Sequence, residues 1–328
     1  MDLSCCDDLT LGDPSSFFVF LRGLEPVMGC DSLTSRLELA PLSRLPGRQP
    51  WSRSVFRYSY IIIPPLESLG FERRVRETLA FLKECGYAGV EVNLTDSPDL
   101  DLDRLEQWLD ELDLVIPSFL TGEAYGQGLC LSSPDPSIRQ RTVDRLVGYL
   151  EVARRFKAIL VVGLLQGLLS DEPDVAAAQA RIRGCFRQLA AGAEAQGVDV
   201  VVEPVNHLQV GFNNSVAEVR RLVAEVGSPA LKPMVDTIHM NVEERSLVKP
   251  ILECGPSLRH VHLCESNGSL LGSGHLDFAA VLGALDRIGY DGFASVKVYR
   301  EAGLEDAAPH SLRHLRQLHS GSPAPGGG

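Results

Sequence analysis

The chain has 328 residues, enough to bury a large core without disulfides or metals to help it fold. Apolar residues make up 45% and charged residues 23%, an ordinary globular composition, and no run approaches the ~20 apolar residues of a membrane span. Lys and Arg number 31 against 43 Asp and Glu, and the net charge of −12 argues against nucleic-acid or anionic-membrane partners, which select basic surfaces.

Residues 1–55 mix Ser, Pro, Gly and Arg around one short apolar run and read as an irregular extension. Residues 321–328 (GSPAPGGG) read as a disordered tail. The eight cysteines, at 5, 6, 30, 85, 130, 185, 254 and 264, form no CxxC pair, and the acidic N-terminus does not resemble a secretion signal. Reduced thiols in a cytoplasmic protein are the expectation.

Between these ends, eight short apolar or β-branched runs predict strands over 58–63, 89–94, 114–120, 158–163, 198–203, 231–236, 258–263 and 293–298. Helical stripes follow them. Val75, Leu79 and Leu82 recur at helical spacing ahead of Gly86, a fitting C-terminal cap. Leu102, Leu105, Leu109 and Leu112 form a second stripe. Ser215 and Glu218 make a capping box ahead of Val219, Leu222, Val223 and Val226, closed by Gly227. Phe278, Val281, Leu282, Leu285 and Ile288 repeat the design before Gly289.

The strand-to-strand step averages about 34 residues, the size of a βαβ unit, and eight such units close a (β/α)8 TIM barrel over 56–320. An open doubly wound sheet would want a glycine-rich phosphate turn, and neither GxGxxG nor GxxxxGK[ST] occurs.

In such barrels the active site lies at the C-terminal mouth. The fifth strand ends in Glu203 after three valines, the sixth in Asp236, and the seventh carries His260 and His262 on one face. Two carboxylates and an imidazole ending consecutive strands suit Mn2+, Mg2+ or Co2+, and also Zn2+. Each carboxylate alone would more often cap the following helix. One of the two histidines serves as a ligand and the other as a supporting or core residue; spacing does not decide which. His275 is placed near the mouth without a role.

Glu203-Pro204-Val205-Asn206, the stretch DTIHMNVEE over 236–244, and His260-Val261-His262 followed by Glu265-Ser266-Asn267 resemble the ketose 3-epimerases of the D-tagatose/D-psicose type. These belong to the xylose-isomerase-like barrel superfamily of sugar phosphate isomerases and epimerases. The similarity spans about 56–300, with GSGHLDF over 272–278 adding to it and Gly89-Val90-Glu91 matching a pattern common to the superfamily. It implies a sugar isomerase or epimerase that abstracts a proton beside a carbonyl. It further implies Glu203, Asp236 and His262 as ligands of a divalent metal, Glu203 as an acid/base carboxylate, and His239, with Asn206 and Glu265, as substrate-binding residues. The implied partner is a small sugar, and a homo-oligomer is compatible with it.

Three positions depart from that pattern. Lys297 stands where the family has a fourth ligand and second catalytic glutamate, Gly268 where an arginine usually follows, and Gln209 in place of a second glutamate. Lys297 serves as a second catalytic group if burial lowers its pKa towards neutrality, whereas nearby carboxylates favour the ammonium, which would take over part of the metal's electrostatic role. Two other readings therefore accompany the isomerase: a lyase or aldolase-like enzyme with Lys297 as Schiff-base nucleophile, and a degenerate, metal-free carbohydrate-binding member with Lys297 paired to Glu203 and Asp236.

Overall fold

The computed structural model of the chain describes residues 56–69, 74–96, 101–172, 174–300 and 303–320. The extension and tail expected at 1–55 and 321–328 lie outside them. Eight strands, β1 (Arg57–Ile62), β2 (Gly89–Asn93), β3 (Ser118–Leu120), β4 (Ile159–Val162), β5 (Val200–Val202), β6 (Leu231–Asp236), β7 (His260–Cys264) and β8 (Phe293–Lys297), pair in parallel in chain order. β8 returns to β1, and the sheet closes into the expected barrel. The third strand is shorter than its apolar run. Pro117 has no N–H to give a ladder, so Val115 makes only an isolated bridge to Gly89 before pairing with β2 resumes at Phe119.

Among the described residues ten α-helices surround the sheet: α1 (Arg76–Cys85), α2 (Leu102–Leu112), α3 (Glu123–Gly126), α4 (Pro136–Phe156), α5 (Val175–Gln196), α6 (Val216–Val226), α7 (Thr237–Glu243), α8 (Val248–Cys254), α9 (Phe278–Arg287) and α10 (Leu304–Ser320). Two connections use paired helices, α3 with α4 and α7 with α8, where one helix was expected. Asp and Ser side chains start most of the long ones. Asp101, Asp135, Asp174 and Asp277 each accept a backbone N–H of the first turn, and Ser215 with Glu218 forms the expected reciprocal box. Gly86 and Gly227 end α1 and α6 at φ +98° and +73°, a left-handed turn that costs any other residue strain.

The helical stripes face the outside of the barrel as expected. Val75, Leu79, Leu82, Leu105, Val219, Val281 and Leu285 are all fully buried, and each contributes on the order of 1.5–3 kcal/mol by leaving water. Trp108 on α2 joins them, outside the leucine stripe read from the sequence.

The inside of the barrel divides in two. Ile159 and Val161 of β4, Val201 of β5 and Met234 of β6 form a small apolar cluster with Leu120 packed against it. The other half is polar: Ser59 on β1, Glu91 on β2, His260 and His262 on β7 and Ser295 on β8 are buried and bonded to one another. The described cysteines, Cys85, Cys130, Cys185, Cys254 and Cys264, are free, and no described helix is long and apolar enough to cross a membrane.

The Ser215 box satisfies two backbone donors at the start of α6, so Ser215→Ala should cost about 1 kcal/mol of stability with the fold retained. The check is the urea midpoint followed by circular dichroism; an unshifted midpoint would mean the box contributes nothing.

Candidate functional site

Three consecutive strands deliver the expected groups to one point at the C-terminal mouth. Glu203 follows β5 and stays on its ladder, its N–H donating to the Val162 carbonyl at 3.0 Å. Asp236 ends β6 opposite His262 of β7. His262 Nδ1 lies 3.2 Å from Glu203 Oε1 and 3.6 Å from Asp236 Oδ2. From the next strand, β8, comes Lys297, whose ammonium donates to Asp236 Oδ2 at 2.7 Å and stands 3.8 Å from Glu203 Oε1.

Asp236 plays both parts that its strand-end position allowed. Its Oδ1 accepts the Ile238 N–H at 3.0 Å and caps α7, while Oδ2 faces Lys297. The rest of the 236–244 stretch fixes the surrounding loops. Thr237 Oγ donates to the Cys264 carbonyl and accepts its N–H, locking the ends of β6 and β7 together. Glu243 accepts from His207 through both backbone and ring, and Glu244 accepts the Val216 N–H.

His239 points back from α7 into the cluster, with Nε2 at 3.7 Å from Asp236 and 3.8 Å from Glu203. Its tautomer follows from its neighbour. Asn206 Oδ1 accepts the Leu208 N–H at 3.1 Å, so the Asn206 amide donates to His239 Nδ1 at 2.8 Å. The proton of the neutral ring therefore sits on Nε2, aimed at the carboxylates and the mouth. Burial lowers the His239 pKa against the pull of Asp236, which keeps the ring neutral.

The charges are set by their neighbours. Burial alone would raise the Asp236 and Glu203 carboxyls, but the Lys297 ammonium, with the histidines, outweighs it and holds both below their ordinary values. Burial alone would lower Lys297, but Asp236 and Glu203 hold it raised, as an ammonium. Burial alone would also lower His262; the charge of Glu91 and the nearby Asp236 and Glu203 carboxylates hold it well above the usual range.

Beneath this layer lies a second one that sequence reasoning undervalued. Glu91 accepts from His260 Nε2 at 2.8 Å and from His262 Nε2 at 3.1 Å, and from the Ser295 hydroxyl. His262 thus lies between two carboxylate layers, with His260 as its supporting neighbour. Gly163, at the end of β4, was also missed: a methyl there would overlap Glu203 Oε2.

Glu265 does not join the cluster. Its carboxylate is fully buried and takes four donors from its own loop: Ser266 N–H and hydroxyl, Gly272 N–H and Leu276 N–H. His275 lies near the mouth, exposed, and bonded to Asn241 at 3.1 Å. At Gly268, φ +73°, a methyl would run into the ring of Tyr299, so no side chain fits where the family has its arginine.

Glu203, Asp236 and His262 bring their ligand atoms within 4.8 Å of one another, as do Glu91, His260 and His262, and separations of that size can suit a metal ion. The charge of the first set does not. Its carboxylate oxygens already hold an ammonium, and as arranged these residues do not fit a bound divalent ion beside Lys297.

The sequence profile described as "Xylose isomerase-like TIM barrel" matches residues 79–318. A ketose 3-epimerase of Arthrobacter globiformis is 30% identical over 220 residues, covering 66% of this chain and 75% of its own. An L-ribulose 3-epimerase of Mesorhizobium japonicum is 28% identical over 222 residues, covering 67% and 73%. A solved L-ribulose 3-epimerase superposes with a TM-score of 0.72 at 22% identity, over 81% of this chain and 95% of that one, and shares the fold. The chain belongs to the xylose isomerase-like TIM-barrel family, and within it resembles the ketose 3-epimerases.

Proposed function

We propose that the chain is a sugar epimerase or isomerase that acts on a ketose by moving a proton on a carbon beside the carbonyl. The relatives named above are sugar 3-epimerases, enzymes of the isomerase class. The observation that carries the reading is Glu203: an ionised carboxylate, 8% exposed, with one oxygen turned to His239, His262 and Lys297 and the other against Gly163.

Glu203, held as the carboxylate, takes the proton. His239 presents Nε2–H to a substrate hydroxyl, with its tautomer fixed by Asn206. Glu265 holds the loop over 266–276 and acts on the site through it. Return of the proton from Glu203 to the neighbouring carbon gives isomerisation. Return from the opposite face gives epimerisation, and in either reaction Lys297, 3.8 Å from Glu203 Oε1, is the catalytic cation that meets the negative charge developing on the substrate. Mn2+, Mg2+, Co2+ or Zn2+ at Glu203, Asp236 and His262 forms no step of this proposal, because Lys297 holds the carboxylates such an ion would need.

The test is wash-in of solvent deuterium into a panel of ketoses, read by NMR, which detects proton abstraction whatever the product. The wild-type chain should label at least one ketose at C3 or C1, and Glu203→Gln should lose about 100-fold or more of that rate. Unchanged labelling in Glu203→Gln removes it as the base. No labelling by the wild type favours a binding protein.

Gly163→Ala tests the position of the carboxylate rather than its charge. The added methyl displaces Glu203 Oε2, and a shift approaching 1 Å should lower exchange by about 100-fold with an unchanged melting temperature. Exchange equal to wild type would mean Oε2 plays no part.

A Schiff base needs a neutral amine, which the pairing of Lys297 with Asp236 opposes. Borohydride treatment in the presence of the labelled ketose should therefore leave the protein's mass unchanged. A sugar adduct mapped to Lys297 would instead establish the lyase-type reading.

A further inference from the structure

We propose that the Lys297 ammonium is the resident cation of this active site, standing where a divalent ion would stand, so that the chain's proton transfer proceeds without bound metal. The catalytic half of this statement rests on the reading of Glu203 as the base; the binding half does not.

Above the His262 ring, which faces both carboxylates, the geometry leaves one further place for positive charge between them. Asp236 has no exposed surface and Glu203 has little, so both need a counter-charge that comes from the protein or from a ligand. Lys297 supplies it, 2.7 Å from Asp236 Oδ2 and 3.8 Å from Glu203 Oε1. A divalent ion would sit about 2.0–2.3 Å from the same oxygens, inside the contact distance of the ammonium, and two cations so close repel strongly in a site with little water. The metal and the lysine are therefore alternatives. Lys297 is tied to the site by the chain itself, as the last residue of β8, whose ladder partner is Cys264 at the end of β7.

The deeper set that could share an ion by separation, Glu91, His260 and His262, is no substitute. Its atoms are 0–2% exposed and already bonded to one another. Nor does the loop after β7 bring another cation to the position of Gly268, where the Tyr299 ring fills the space.

An ammonium also fits the chemistry. When Glu203 removes the proton, the C–H bond breaks and its electron pair forms the carbon–carbon double bond. The carbonyl π pair moves onto oxygen, giving an enediolate that needs a positive partner. Lys297 has three N–H donors and gives one to Asp236, which leaves others for that oxygen. Reprotonation of the enediolate restores the carbonyl and a neutral sugar, with no co-reactant required.

The experiment is Mn2+ binding by the full-length protein at neutral pH, by titration calorimetry and by elemental analysis after dialysis, alongside the deuterium wash-in assay with and without EDTA. The wild type should retain no stoichiometric Mn2+, and whatever exchange it catalyses should be unaffected by EDTA. Lys297→Glu, which replaces the cation with a third carboxylate, and Lys297→Met, which simply removes it, should each bind Mn2+ at least about tenfold more tightly than wild type. Added Mn2+ should raise the melting temperature of the variants and not of the wild type. Should either variant fail to fold, the wild-type titration still decides.

One tightly held Mn2+ per wild-type chain, exchange abolished by EDTA, or folded variants with wild-type Mn2+ affinity would each overturn the proposal. Absence of exchange under every condition would overturn the assigned function and with it the catalytic half. The binding half would still stand or fall on the titration.

Discussion

A carboxylate with no access to water must be neutralised from within, and in this barrel Asp236 is such a group. The Lys297 ammonium does most of that work, and the remainder of the mouth is arranged around the pair. Asp236 spends its other oxygen on the first turn of α7, so the same side chain that holds the lysine also orients the helix carrying His239. Removing the lysine would leave a buried charge unpaired, a loss on the order of 3–5 kcal/mol. Stability and the electrostatics of the site thus rest on one contact.

The barrel interior shows how such a contact can be accommodated. Its β4–β6 side is filled with aliphatic side chains and Met234, while the opposite side stacks serines, histidines and Glu91 in a bonded network. Every carboxylate in that network has a cationic or hydrogen-bonding partner within reach, the condition under which buried polar groups are tolerated. The mouth is the upper layer of this stack, and His262 belongs to both.

The barrel was legible because its two periods are simple. Apolar runs at regular intervals gave the strands, and stripes at helical spacing gave the faces that pack against them, so Val75, Leu79 and Leu82 could be placed in the core directly. Glu203 and Asp236 stood out in the sequence because each ends or follows an otherwise apolar strand, whereas the choice of His262 over His260 came only from the family resemblance, since both share one face of β7. Glu91 was less so for a physical reason: in Val90-Glu91-Val92 the alternation looks like a strand with its polar face in water, whereas in this barrel the polar face lines the axis. Gly163 carries no side chain to notice; its meaning is the space it leaves for Glu203. Glu265 was singled out through the family resemblance, and nothing in its spacing reveals that a loop closes back on it and supplies four donors.

The place of His262 has a consequence for anyone who would re-engineer this protein. Its ring is shared between Glu91 below and Glu203 and Asp236 above. Filling the polar half with aliphatic residues, a common route to a more heat-resistant scaffold, would remove the anion that steadies that ring and disturb the chemistry above it. The aliphatic half around Val161 and Val201 carries no such link. The two sides of one barrel thus differ in evolvability: one can drift or be redesigned for robustness, while the other changes only together with what the enzyme does.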